Sequence, residues 1–191
     1  MNENKFENLL HESGAILDGH FLLTSGLHSP TYVEKFQLLK YPVLTDRICK
    51  GIADHFKHTK PSVVIGAATG GIPISQSVAR EMSTRSIFAE RVEGDLIFKR
   101  GFNIEQGEKV LIVDDVVTTG GSIYELMDLV KDKDGIIMGV GVIIDRSGKK
   151  IDFGVEYHPL VKMDIPTYQP EECPLCKEGV EITSRGRTGK K

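Results

Sequence analysis

The stretch Val110-Leu111-Ile112-Val113-Asp114-Asp115-Val116-Val117-Thr118-Thr119-Gly120-Gly121-Ser122 concentrates the chemistry of this chain. Four apolar residues bury a strand, and two carboxylates follow where the sheet should end. Consecutive strand residues point to opposite sides, so one acid faces a ligand and the other supports it unless the backbone is already turning. The Thr-Thr-Gly-Gly-Ser loop then offers closely spaced amide N–H groups and three hydroxyls at the start of a helix. That geometry holds a phosphate monoester without a lysine. Acids beside a phosphate cradle make sense when the ligand also presents sugar hydroxyls, a metal ion or a centre that becomes positive during reaction. A phosphorylated ribose meets all three conditions. A receiver-like acidic pocket or a plain tight turn is the simpler alternative, and the order strand, acids, loop, helix favours the sugar phosphate over it. A nucleoside-triphosphate loop is excluded because Gly-Lys-Ser/Thr is absent.

Those residues need a frame. A β-branched run at 63–65 leads into Gly66-Ala67-Ala68-Thr69-Gly70-Gly71 and a helix with Pro73 near its first turn. Residues 87–89 form a second strand. Residues 110–113 form a third, followed by a helix with Ile123, Leu126, Met127 and Val130 on one face, and 140–144 a fourth, stopped by Asp145-Arg146. The alternation predicts an α/β fold with a central, mostly parallel sheet flanked by helices, and ligands beyond the carboxyl ends of the strands. Leu44, Ile48, Ile52 and Phe56 mark a helix from near Pro42 to before Pro61. Ahead of it, residues 4–12 suggest a short helix with Phe6, Leu9 and Leu10 on one face, then an extended stretch at 19–23 and a turn at 24–30. One domain is expected over residues 1–191. Its core spans about 42–150, a small cap (hood) comes from 1–40 and 151–183, and 184–191 is a flexible basic tail.

Composition narrows the function. At 191 residues, 40% hydrophobic and 27% charged, the chain is an ordinary globular one. Its 24 basic and 27 acidic side chains leave a formal charge of −3, so no global positive field exists to hold a nucleic acid. The apolar run 135–144 is far shorter than the roughly 20 residues of a membrane-spanning helix, so no membrane partner is expected. The polar start Asn2, Glu3, Asn4, Lys5 lacks the pattern of a secretion signal, and three cysteines do not make a disulfide framework. A cytoplasmic location is expected.

Residues 110–122 resemble throughout the signature by which type I phosphoribosyltransferases bind 5-phosphoribosyl 1-diphosphate (PRPP). Gly19-His20-Phe21-Leu22-Leu23-Thr24-Ser25-Gly26-Leu27-His28-Ser29-Pro30-Thr31-Tyr32 is similar to the amino-terminal segment of the orotate-specific branch, and the likeness covers about the first 165 residues. The resemblance implies the type I phosphoribosyltransferase fold and Mg²⁺-dependent transfer of ribose 5-phosphate from PRPP to orotate, in a homodimer, with Mg²⁺ carried by the diphosphate and no direct protein ligand. It implies that Asp114 and Asp115 hold the ribose hydroxyls and favour an oxocarbenium-like transition state. Val116, Val117, Thr118, Thr119, Gly120, Gly121 and Ser122 would bind the 5-phosphate side of PRPP, with Thr118 also near the base. Ala68, Thr69, Gly70 and Gly71 match the diphosphate loop, though read alone they are a generic βα turn. Arg146 matches the arginine that pairs with the orotate carboxylate, which a planar guanidinium can grip bidentately; a surface pair with Asp145 is the alternative. Ser25, Gly26 and Phe21 would line the base from the cap.

Departures accompany the match. Thr24 and Gly70 stand where many bacterial members have lysine, and of the loop over 92–107 only Arg91, at its entrance, aligns cleanly. Lys99 and Arg100 are the candidates to supply the missing charge, into a neighbouring subunit's site or as an exposed basic turn. A phosphoribosyltransferase for a purine or uracil is the rival reading. A PRPP-sensing regulator is a weaker one, since neither the charge nor the short amino-terminal flap offers a DNA-binding surface. Cys173-Pro174-Leu175-Cys176 has the spacing of half a zinc site, but Cys49 and His158 are far off in sequence, so two reduced thiols in a Pro-bounded turn are expected. Two such pairs meeting in a dimer are the metal-binding alternative.

Overall fold

The most continuously apolar runs of the chain form the centre of a six-stranded sheet in the computed structural model, which describes residues 3–23 and 25–184. Strand β3 (Val63–Ala67) is buried at every position. The next two central strands, β6 (Lys109–Val117) and β7 (Ile136–Asp145), are buried along most of their length, as strands covered on both faces must be. With β4 (Arg85–Val92), β5 (Asp95–Phe98) and β8 (Tyr157–Lys162) the order is β5-β4-β3-β6-β7-β8. Neighbours run parallel except in the β4–β5 hairpin. Chain order reverses at β3, which has β4 on one side and β6 on the other. A crevice therefore opens at the carboxyl ends of β3 and β6, where a parallel sheet places its ligands.

Helices cover both faces. On one, Ile48 and Ile52 of α3 (Pro42–Phe56), Ile74 and Val78 of α4 (Gly71–Met82), and Phe6, Leu9 and Leu10 of α1 (Glu3–Glu12) pack with Val64, Leu111 and Val113. On the other, Ile123, Leu126 and Val130 of α5 (Gly121–Lys131) meet Val63, Ile65, Val110 and Ile112. Alternate residues of β6 thus feed opposite cores. The alternation then slips. Val116 packs with the face that holds Val113, three residues earlier, and Val117 joins the face of Ile112, five residues earlier. The strand turns through Asp114 and Asp115.

A second sheet, β2-β1-β9, joins the amino-terminal hairpin of β1 (Ile16–Leu22) and β2 (His28–Val33) to β9 (Thr183–Ser184). The segments α2 (Lys35–Leu39) and α6 (Pro174–Lys177) flank it in sequence.

Three expectations are corrected. His28, Ser29 and Pro30, placed in a turn, belong to β2, because Leu22 pairs with His28 and Phe21 with Ser29 across the hairpin, and His28 also exchanges both backbone hydrogen bonds with Tyr168 at 2.9 Å. Residues 157–162, grouped with the cap, enter the main sheet beside β7 and bury Leu160 and Val161; as an edge strand β8 tolerates Pro159. The loop after Arg91 contains strand β5, closed by Glu93 (φ 52°) and Gly94 (φ 109°) in the two-residue positive-φ turn that suits a twisted hairpin. Thr24 and residues 185–191, which hold most of the expected flexible tail, lie outside the described residues.

Candidate active site

A cavity of about 1140 Å³ lies in the crevice, between the sheet and the end of the β1–β2 hairpin. Ala68, Thr69 and Gly70 after β3, and Asp114, Asp115 and Val116 of β6, line it from the sheet. Thr118 and Ser122 enter from the loop that opens α5, Arg91 from β4 and Arg146 from just past β7. Tyr32, Val33, Glu34, Lys35 and Phe36, from the end of β2 and the start of α2, close the opposite side. The Ala68–Thr69 peptide bond is cis.

Both acids line this cavity, which the slip in β6 allows. They are 9% and 4% exposed. The Asp115 amide donates to Asp114 Oδ1 at 2.9 Å. Burial, reinforced by the neighbouring Asp115 charge, pushes the Asp114 carboxyl up from its ordinary 3.8 to about 7, with the amide hydrogen bond and Lys35 opposing. Asp115 Oδ2 has the Lys35 ammonium 2.7 Å away, yet lacks an aligned hydrogen bond to any described residue. Gly70 makes room for it: a Cβ there would fall 1.7 Å from Asp115 Oδ2 and 3.2 Å from Lys35 Nζ. Lys35 therefore brings an amino group beside the glycine that occupies the expected lysine position.

Arg146 is half-buried, its Nε has no hydrogen-bond partner, and burial pushes its pKa down. It forms no ion pair with a described residue. Asp145, the alternative partner, accepts the Ser147 amide at 2.8 Å instead. A guanidinium held in this way is suited to an anion supplied by a ligand. Arg91 is already committed: its Nη2 lies 2.8 Å from Glu125 Oε2, and its Nη1 donates to the Gly94 carbonyl in the β4–β5 turn.

Residues 37–153 match the model of the phosphoribosyl transferase domain. The orotate phosphoribosyltransferase of Caldicellulosiruptor bescii is 46% identical over 186 residues, covering 97% of this chain and 98% of that protein. The orotate phosphoribosyltransferase of Thermotoga maritima is 44% identical over 185 residues, covering 97% and 99%. The chain belongs to the orotate phosphoribosyltransferase family. Among solved structures, the orotate phosphoribosyltransferase of Mycobacterium tuberculosis superposes with a TM-score of 0.70 at 20% identity, over 84% of this chain and 96% of that one, a likeness that speaks for the fold.

Within this orotate phosphoribosyltransferase scaffold the expected residues divide. The cavity gathers Ala68, Thr69, Gly70, Arg91, Asp114, Asp115, Val116, Thr118, Ser122 and Arg146. Val117 turns into the core, and Thr119, Gly120, Gly121 and Gly71 complete the two loops without lining the wall. Lys99 and Arg100, exposed just after β5, do not line this chain's cavity, and Arg100 pairs with Glu90 at 2.6 Å. Phe21 is buried in the cap against Tyr32, ring centroids 5.6 Å apart, and Ser25 and Gly26 are exposed in the β1–β2 turn, so none of the three lines the cavity. The segment quoted for the base does reach the site, but through its last residue, Tyr32, and the Lys35 that follows. Strand alternation could have flagged the point: Phe21 reads as a core residue, and the chain reaches the sheet only after β2. Among the described residues no helix is long and apolar enough to cross a membrane.

Proposed function

We propose that this chain binds PRPP with its Mg²⁺ above Asp114 and Asp115 and transfers ribose 5-phosphate to N1 of orotate, giving orotidine 5′-monophosphate and diphosphate for pyrimidine nucleotide synthesis. The observation that supports this most directly is an unpaired guanidinium, Arg146, in the same cavity as the paired carboxylates. The C1–oxygen bond to diphosphate breaks, its electron pair leaving with the oxygen, as the N1–C1 bond forms and N1 gives its proton to the departing diphosphate. Asp115 Oδ2 and Asp114 hold the ribose hydroxyls and offset the positive charge that builds at C1. Hydroxyls of Thr118 and Ser122 and the amides opening α5 hold the 5-phosphate. Backbone amides at Thr69 and Gly70 face the diphosphate, and Lys35, released from Asp115, gives it an ammonium. Mg²⁺, held by the diphosphate rather than by a protein side chain, would supply charge neutralisation of the leaving group. No covalent nucleophile is needed, because positioning and fixed charge supply the catalysis.

We place the protein in the cytoplasm as a homodimer, on the family resemblance and its three unbridged thiols. The exposed Lys99 on the β4–β5 hairpin is then free to serve a neighbouring chain's cavity. The deciding assay mixes protein, Mg²⁺ and PRPP separately with orotate, uracil, adenine, guanine and xanthine, and follows diphosphate release. Orotate alone should turn over. Arg146→Ala should raise the orotate KM about 10- to 100-fold, as loss of a charge-assisted hydrogen bond predicts. Release with uracil or a purine at an equal rate, or an unchanged KM in the variant, overturns the assignment.

A further inference from the structure

Away from the cavity, four side chains from three separate stretches converge: His20 in β1, His28 at the start of β2, and Cys173 and Cys176 at α6. Their ligand atoms all lie within 4.8 Å of one another. His20 Nε2 is 3.0 Å from His28 Nδ1, 3.5 Å from Cys173 Sγ and 3.7 Å from Cys176 Sγ, and Cys176 Sγ is 3.3 Å from His28 Nδ1. A tetrahedral zinc with bonds of about 2.3 Å to sulfur and about 2.0–2.1 Å to nitrogen requires N···N edges of about 3.3 Å and S···N edges of about 3.5 Å. These four of the six edges come within about 0.3 Å of those values, and the other two are no longer than 4.8 Å.

Two further observations point to a ligand rather than to a chance meeting of polar groups. The outer nitrogen of His20, Nδ1, lies 2.8 Å from the Val180 carbonyl, a bond that fixes the tautomer with a bare Nε2 aimed into the cluster. The pairing of β1 with β2 is irregular between Asp18 and Phe21, the interval that contains His20, and both imidazoles reach the same point in spite of it. His20, His28 and Cys173 are also buried, at 2%, 7% and 0% exposure. Other ties to this segment are few: His28 pairs with Tyr168, Ser29 Oγ donates to the Pro166 carbonyl, Met163 and Ile165 pack against the core, and β9 adds two residues to the small sheet. Among residues 163–184 only Cys173 is buried.

We propose that His20, His28, Cys173 and Cys176 bind one Zn²⁺ in a closed, structural S₂N₂ site that ties the carboxyl-terminal segment to the amino-terminal hairpin. Two thiolates and two neutral imidazoles suit zinc over Mg²⁺, which prefers oxygen ligands, and four protein ligands leave no open position for catalysis. The site is complete within one chain and does not depend on which base the cavity takes.

The test uses the full untagged chain, purified without chelator, its metals measured by plasma mass spectrometry. About one zinc per chain is expected. Reconstitution of the stripped protein with Co²⁺ should give the visible bands of tetrahedral cobalt together with a thiolate-to-metal charge-transfer band. Cys173→Ser and Cys176→Ser should each lose the metal and the charge-transfer band, whereas Cys49→Ser and Asp115→Asn should keep both. Chelation should lower the thermal midpoint of the wild-type chain and leave that of Cys176→Ser unmoved. The cobalt spectrum is read on wild-type protein, so poor folding of a cysteine variant does not blunt the test. The proposal is overturned by failure of wild-type protein to retain zinc or cobalt after desalting, by a Cys173–Cys176 disulfide in freshly reduced and purified protein, or by retention of zinc in both cysteine variants.

Discussion

Replacing Asp114 by Asn should make the free protein more stable while disabling it. The Asp114 carboxyl titrates near 7 because burial and the adjacent Asp115 penalise its charge, whereas in the unfolded chain it returns to about 3.9. Between those values the folded chain holds a proton that the unfolded chain has released. This group's contribution to stability therefore falls as pH rises from about 4 to about 7 and stays low above that. The full penalty is on the order of 4 kcal/mol, of which roughly a third has developed by pH 5. Asn has nearly the same shape, its Oδ1 can still accept the Asp115 amide, and it never ionises. The stability difference between variant and wild type should widen by about 3 kcal/mol between pH 5 and pH 8. Denaturant unfolding at a series of pH values measures this directly, with the slope checked for constancy. Turnover should fall by roughly 10²-fold or more as one fixed charge beside C1 is lost, and the wild-type kcat/KM should climb through pH about 7 as Asp114 ionises. Parallel stability curves, or a variant less stable at pH 8, would refute the account of a buried carboxyl held at the cost of stability.

Lys35→Ala should lower kcat/KM for PRPP by about 10- to 100-fold, the worth of one charge-assisted contact, and should also lower the unfolding midpoint, because it leaves the buried Asp115 carboxylate without its cation; steady-state kinetics and calorimetry read the two. Gly70→Ala forces its Cβ into Asp115 Oδ2 and should abolish PRPP binding, measured by titration calorimetry, while circular dichroism stays native. Phe21→Ala should cost about 3–5 kcal/mol of stability if its ring is cap core, and should leave orotate KM within about twofold; a large KM change at unchanged stability would return Phe21 to the base site.

The main sheet was legible because β3, β6 and β7 are buried on both faces and so carry unbroken β-branched runs. The loops after β3 and β6 were legible for a related reason, as polar and glycine residues close such a run, and the acid pair nearly so: expected where the sheet ends, it lies inside β6, whose pairing with β7 runs on to Val117. Three features escaped, and each depends on contacts distant in sequence. Strand β8 contains a proline and half-buried polar residues and becomes a strand only by pairing with β7. The role of Lys35 requires the hairpin to fold back over the sheet, which no periodicity announces. His20 and His28 read as part of a base-binding segment, and their approach to Cys173 and Cys176 spans more than a hundred residues of chain. The slip in β6 is hidden for a different reason: Val116 and Val117 suit either face equally, so apolar patterning does not reveal which way the strand turns.

The Lys35 contact has a consequence for how an anion enters so acidic a place. In the resting protein one carboxylate is masked by an ammonium that belongs to a different layer of the fold, so an incoming polyphosphate meets a muted rather than a bare negative floor. On the proposed mechanism, sugar hydroxyls would take that carboxylate as the ammonium lets go, and the departing diphosphate would receive it. Unmasking the floor and clamping the leaving group would then be the same displacement of one side chain.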